Sequence, residues 1–287
     1  MNLPIKKLYV DTRYKSSDST SSTNFKINLP QSLTFPNNSV FYVDDISIPN
    51  AWYVIEKDIN DKLYINVLSN NTLINKFYII TVDSGNYTAI DFANELHTKC
   101  ALSITDIPAA NGNIFLTITY NYKKNSIYFD CEHSTYKFRI LTPQDLKSDY
   151  IYDKYDESYD RNNPQDFNEI IGNLEGASIY HQFPTAYETK AINLQTIRNI
   201  YLHSSMGNYN SLSVIGESTI IKKIPVTANK NEYIFDQVMT SNDFGDCSNQ
   251  TLRTISFQLK DSKGNDINLH GNNWSFSIIF SRMEKNI

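Results

Sequence analysis

From Arg253 to Phe280 the chain alternates, and that alternation limits the possible folds more than any other feature. Ile255, Phe257 and Leu259 take every second position, with Thr254, Ser256 and Gln258 between them. A turn-rich run follows at residues 261–266, then Ile267 and Leu269, a break at Gly271, and Trp274, Phe276, Ile278 and Phe280. Ser275, Ser277 and Ser281 hold the intervening positions. A period of two puts large side chains on one face of an extended strand and small polar ones on the other, which no helix does. The pattern predicts a hairpin-like pair of strands with one dry face. In it Asp261, Gly264 and Gly271 are the structural turn residues, and Phe257, Trp274 and Phe276 are core aromatics.

The N-terminal part follows the same rule. Phe25, Ile27 and Leu29 share a face opposite Asn24, Lys26 and Asn28, so Phe25 joins the expected core. Pro30 and Pro36 punctuate before a second strand over residues 40–48, which ends at Pro49 and Asn50. Further strands are expected at 200–203, 219–226 and 233–238. With those at either end this makes about eight, the number that a double-sheet jelly roll needs. The 20 Tyr and 15 Phe against 2 Trp suit pleated, half-buried surfaces.

The middle has a different texture. Strands are expected at 63–67, 77–82, 114–119, 127–131 and 136–140, and the good helix signals sit among them. Thr88 with Asp91 reads as a cap ahead of an apolar stripe of Ala89, Phe92, Ala93, Leu96 and Cys100. Thr142-Pro143-Gln144-Asp145 and Asn163-Pro164-Gln165-Asp166 carry N-cap chemistry with Pro at the first helical position, and Gly172 reads as a stop. The predicted architecture is therefore an eight-stranded antiparallel jelly-roll β-sandwich, all-β dominated, with an inserted α+β subdomain. Residues 1–59 and 191–287 form the sandwich and residues 60–190 the insertion.

Charge and chemistry narrow the function. A formal net charge of −5, with no basic run longer than pairs such as Lys6-Lys7, argues against nucleic acid as a partner. Cys100, Cys131 and Cys247 are far apart, with no CxxC, so no disulfide framework or zinc site is expected. Met1 and the residues after it lack the apolar core of a signal peptide, and no stretch approaches the roughly 18 apolar residues of a membrane helix. The five histidines lie in no HExxH, and GxSxG, GxxxxGK[ST] and GxGxxG are missing from the sequence. No catalytic residue, cofactor or metal is expected, and the chain reads as a non-enzyme. Carboxylate pairs such as Asp44-Asp45, or Asp243 with Asp246, read as solvated strand ends rather than as a glycosidase pair. The acidic and tyrosine-rich run at 149–160 lacks the glycine and closing glutamate of a calcium loop and reads as a solvated surface loop. Trp52 and its neighbour Tyr53, after Pro49, are the candidate exposed contact aromatics.

The C-terminal motif, an alternating strand ending in Leu259, then Asp261-Ser262-Lys263-Gly264, the apolar Ile267 and Leu269, Gly271 and the aromatic Trp274-Ser275-Phe276, resembles the close of penton and minor capsid proteins. The family is that of virophages, Polinton-like viruses and related double-stranded DNA viruses. Val10-Asp11-Thr12-Arg13 is similar to its opening, Ile48-Pro49-Asn50-Ala51-Trp52 to its proline corner, and Gly85-Asn86-Tyr87-Thr88 to its glycine-tyrosine helix start. Ile224-Pro225-Val226 with Tyr233-Ile234-Phe235-Asp236 also fits. The resemblance implies a single jelly-roll virion protein, a homopentamer at capsid vertices that contacts the major capsid protein. It would assemble in host cytoplasm or nucleus. Alternatives are another minor capsid or spike-base subunit, or a jelly-roll carbohydrate-binding module that attaches to a host glycan or receptor.

Overall fold

The computed structural model describes residues 6–69, 74–107, 115–131, 133–155, 159–207, 212–213, 216–237 and 244–282. Ile114, Val238, Asp243 and the 156–158 part of the tyrosine-rich run lie outside them. Two compact units divide the chain, one of Met1–Trp52 with Ile197–Ile287 and one of Tyr53–Thr196. The sequence pattern set these breaks at 59/60 and 190/191.

In chain order the first unit opens with strands β1 (Lys6–Asp11), β2 (Asn24–Thr34) and β3 (Ser39–Pro49). The second unit holds β4 (Lys62–Ser69), β5 (Asn75–Thr81), helix α1 (Ala89–Ser103), β6 (Leu116–Asn121), β7 (Ser126–Cys131) and β8 (Tyr136–Ile140). It continues with the short helices α2 (Pro143–Leu146), α3 (Asp149–Tyr152) and α4 (Asn168–Ile171), then β9 (His181–Gln182) and β10 (Tyr187–Glu188). The first unit resumes with β11 (Asn199–Ser204), β12 (Ile220–Pro225), β13 (Tyr233–Asp236), β14 (Gly245–Asp246), β15 (Thr251–Lys260) and β16 (Ser275–Arg282).

The first unit is an antiparallel jelly roll. One sheet, here the acidic sheet, runs β1-β16-β3-β13, with β14 continuing along the same side of β3. The other, the basic sheet, runs β12-β11-β15-β2. The pairing is nested: β1 with β16, β2 with β15, β3 with β13 and β11 with β12. The chain is thus one long hairpin, doubled back on itself and rolled into two layers. Phe25, Ile27, Ile255, Phe257, Leu259 and Leu202 of the basic sheet face Phe41, Val43, Ile46, Phe276, Ile278 and Phe280 of the acidic sheet in one core. The second unit builds its own core from a sheet β5-β4-β8-β9 and a sheet β10-β7-β6, with α1 packed on β6 and β5.

Two expectations about elements need correction. Strands β15 and β16 do not form a hairpin; each belongs to a different sheet. Residues 261–274 carry the chain across the sandwich, so Phe257 meets Phe276 across the core, ring to ring at 4.9 Å. The helix predicted to start at Pro164 begins later, at Asn168, because Gln165 adopts a positive φ of 59° that no helix start tolerates. Its stop is as expected, with Gly172 left-handed at φ 68°. Thr88 and Thr142 cap their helices through backbone N–H groups of Asp91 and Asp145.

Candidate functional site

The outer face of the acidic sheet is built by the same alternation that fills the core. Where Val10, Phe276, Ile46 and Ile234 point inward, their neighbours point out. One row across all four strands reads Asp11, Ser275, Ser47, Phe235. The next reads Tyr9, Ser277, Asp45. Small serines on the central strands thus lie between large rings on the edge strands, which makes a trough. A cavity of about 610 Å³ lies along it, lined by Tyr9, Asp11, Tyr14, Asp45, Ser47 and Phe235 and reaching Asn28 and Pro30 of β2.

The walls are unusually open for aromatics. Tyr9, Tyr14 and Phe235 are 74%, 79% and 71% exposed, and Tyr233 stacks against Phe235 with ring centroids 6.1 Å apart. A β-bulge between Ser277 and Ile278 places two consecutive carboxylates of β3 on this side. Asp44 meets the Lys7 ammonium at 2.7 Å, and Asp45 accepts a hydrogen bond from the Ser277 hydroxyl. Asp11 is held by Arg13, whose guanidinium donates to both its oxygens, and this keeps the Asp11 carboxyl below the usual carboxylate range. Exposed rings around a polar floor can bind another surface.

The residues predicted from sequence fall in three places. Phe25, Phe257, Trp274 and Phe276 lie in the sandwich core, all at or below 3% exposure. Trp274 stacks on Phe276 at 4.9 Å and meets Phe25 edge-on, while its Nε1–H donates to the Ser22 carbonyl at 2.7 Å. Asp261 organises the turn after β15: its Oδ1 accepts from the backbone N–H groups of Lys263 and Asn265, and Gly264 takes the positive φ of 87° that closes it. Gly271 turns at φ 79° just ahead of Trp274.

Trp52 corrects the expectation of an exposed contact. It is buried at 3% exposure in the sandwich core, and Tyr53 is half-buried. The proline corner before it folds inward: Pro49 and Asn50 are themselves buried, and the Asn50 side chain donates to the Ala228 carbonyl. Lys230 then covers the indole, its ammonium 5.0 Å from the ring centroid and donating to the Trp52 carbonyl, and burial pushes its pKa down to about 8. A sugar platform at Trp52 is therefore ruled out.

The tyrosine-rich run is likewise no solvated loop. Ile151, Tyr155 and Tyr159 are buried with Tyr64, Leu141 and Leu146 in a small separate core, and the Tyr159 hydroxyl donates to the Leu146 carbonyl. Its tyrosines recur at short spacing, and helix α3 starts the wrap that brings their rings together over Tyr64.

Sequence reasoning missed a buried ion pair and a buried histidine of the first unit. Lys222 of β12 and Asp236 of β13 both point inward from edge strands of opposite sheets, and their charged atoms stand 3.7 Å apart with side chains 5% and 9% exposed. His203, opposite the bulge of β12, is buried; its Nδ1 lies 2.9 Å from the Thr219 hydroxyl and its Nε2 3.5 Å from Glu217, which also binds Lys260 at 2.7 Å. Lys222 and Asp236 sit at inward positions where alternation calls for an apolar residue, and that mismatch was the available signal; His203 pairs with Gln258 on the outward side of β15, where spacing gave none. Among the described residues, no three His, Cys, Asp or Glu side chains converge as a metal site. No helix there is long and apolar enough to cross a membrane.

Fold and surface together define a jelly-roll protein with an α+β insertion between its third and fourth sandwich strands and an aromatic, acidic outer face. The whole chain shares this fold with the mavirus penton protein, which it matches over 97% of its own length and 100% of that chain at a TM-score of 0.52 and 10% identity. A chain of the Sputnik virophage aligns over 96% of this chain and 98% of its own, with TM-score 0.49 and 12% identity. No protein-family description matches the sequence, and no curated protein matches it.

Proposed function

We propose that this chain is a penton-type structural protein of a viral capsid. Its subunits associate into a pentameric ring that closes the vertices of the shell, and the ring contacts the major capsid protein around it. The observation that carries this reading is the agreement of fold with the mavirus penton protein over the full length of both chains, the insertion included. The chemistry of the surface supports it, since exposed rings and serines suit packing against protein and assemble no reaction centre. The work of such a subunit is packing and closure, so no substrate, cofactor or metal enters, and its place is the virion.

Mass photometry and negative-stain electron microscopy of the purified chain test this. The expected particle is a ring of five copies of the 33.0 kDa chain. A chain that stays monomeric at micromolar concentration and is missing from purified particles refutes the proposal.

A further inference from the structure

The two outer faces of the sandwich differ in charge. The strands of the basic sheet contain no Asp or Glu at all. Their outward positions include Lys26 and Lys223, both exposed, and the half-buried Lys260. The outer face of the acidic sheet presents Asp11, Asp44 and Asp45 with Lys7 as its cation, beside the open rings of Tyr9 and Phe235. Several of these charges have loop or strand partners at partly exposed positions: Lys26 with Asp18, Lys260 with Glu217, Asp11 with Arg13 and Asp44 with Lys7. Such pairs are weakly held in water and can be exchanged for contacts with another surface.

We propose that the trough on the acidic sheet is the seat of a second copy of this chain, which enters with the outer face of its basic sheet. This rests on the capsid reading and names the partner surface within it. Charge decides between the possible pairings. Acidic face on acidic face sets three carboxylates of each copy against three of the other, and basic on basic sets lysines against lysines; either juxtaposition is repulsive. Acidic on basic is attractive. The two faces lie on opposite sides of one sandwich, so the contact is head-to-tail: each copy offers one face forward and the other behind, and a constant rotation between copies closes a ring. The rings of Tyr9 and Phe235 supply the apolar contact that such interfaces concentrate at their centre, and the charges set orientation.

Two surface variants test the pairing. Tyr9→Lys with Phe235→Lys makes the acidic face repel its partner; Lys26→Glu with Lys223→Glu does the same to the basic face. All four positions are exposed, so wild-type circular dichroism and melting are expected of both. Each variant alone is expected to run as a monomer, and the two mixed are expected to associate, because each supplies the face that the other needs. Self-association of the basic-face variant alone, or wild-type rings from both variants, overturns the proposal and leaves the capsid reading standing. A wild-type chain that never assembles overturns both. Should a variant misfold, the wild-type assembly decides: association at least about tenfold weaker at ~1 M than at ~0.05 M salt supports a charge-steered contact, and unchanged association overturns it.

Discussion

The buried pair of Lys222 and Asp236 gives the most demanding test of the fold. The two side chains reach inward from β12 and β13, edge strands of opposite sheets, and tie the layers together along one side of the sandwich. At 3.7 Å and an effective dielectric of about 20, their attraction is about 4 kcal/mol. Removing both charges from water costs several kcal/mol per ion, so the pair contributes little net stability relative to two apolar side chains of similar size. Removing one partner is a different matter. Lys222→Met takes away the ammonium facing a buried carboxylate, and about 3 to 5 kcal/mol of stability is expected to go with it. Asp236→Leu is expected to cost less, because a lysine stem on an edge strand can swing its ammonium out to water. The double variant Lys222→Met/Asp236→Leu is expected within about 1 to 2 kcal/mol of wild type, a large favourable coupling. Urea unfolding, followed by tryptophan emission that reports on Trp52 and Trp274 in this unit, measures all four corners of the cycle. Single variants that each cost under about 1 kcal/mol, or a double variant as unstable as the sum, would refute the claim that the charges are buried and coupled.

Three further outcomes follow from the same geometry. Trp52 and Trp274 are both buried, so native emission is expected to be blue-shifted and resistant to acrylamide, with Trp52→Phe leaving the remaining emission equally protected; an exposed component lost with Trp52 would contradict the inward corner. Cys100, Cys131 and Cys247 are buried, and burial pushes the thiols of Cys100 and Cys247 up to about 12, so Ellman's reagent is expected to find no reactive thiol until the chain unfolds. Burial holds the His203 pKa below its ordinary 6.5, against the pull of Glu217 and Asp266 and with the help of Lys260. Because the unfolded chain takes up that proton first, the contribution is complete above pH 6.5 and falls as pH drops below it; His203→Gln is expected to flatten the slope of stability below pH 6.5, and an unchanged slope would remove His203 as its source.

The sandwich was legible in the sequence because its core obeys a period of two over long runs. Phe25, Ile27, Ile255 and Phe257 announce their faces from spacing alone, and the caps at Thr88 and Thr142 follow from local hydrogen bonding. What spacing does not give is the neighbour. The same alternation serves a hairpin and a crossing between layers, which is why β15 and β16 read as a pair although residues 261–274 separate them into two sheets. Strand β1 was passed over because Lys6-Lys7 leave only Leu8 and Val10 to mark a face. Trp52 and the tyrosines at 155 and 159 were misplaced for a related reason: they are buried by residues distant in sequence, and a local window sees only their polar surroundings. The candidate surface was the least legible part. Asp45, Ser47, Ser275 and Phe235 come from three strands spread over the chain, and only the strand register lines them up.

The nested pairing also fixes the order in which a ribosome can deliver a finished molecule. Lys6 pairs with the strand that contains Phe280, so β1 has no partner until Ser275–Arg282 has been made. Tyr53–Thr196, by contrast, is one uninterrupted stretch with a core of its own, and everything it needs has emerged while the opening strands still wait. During synthesis the inserted unit is thus the early folder, and the open edges of β1, β2 and β3 are what a nascent chain must keep from sticking to others.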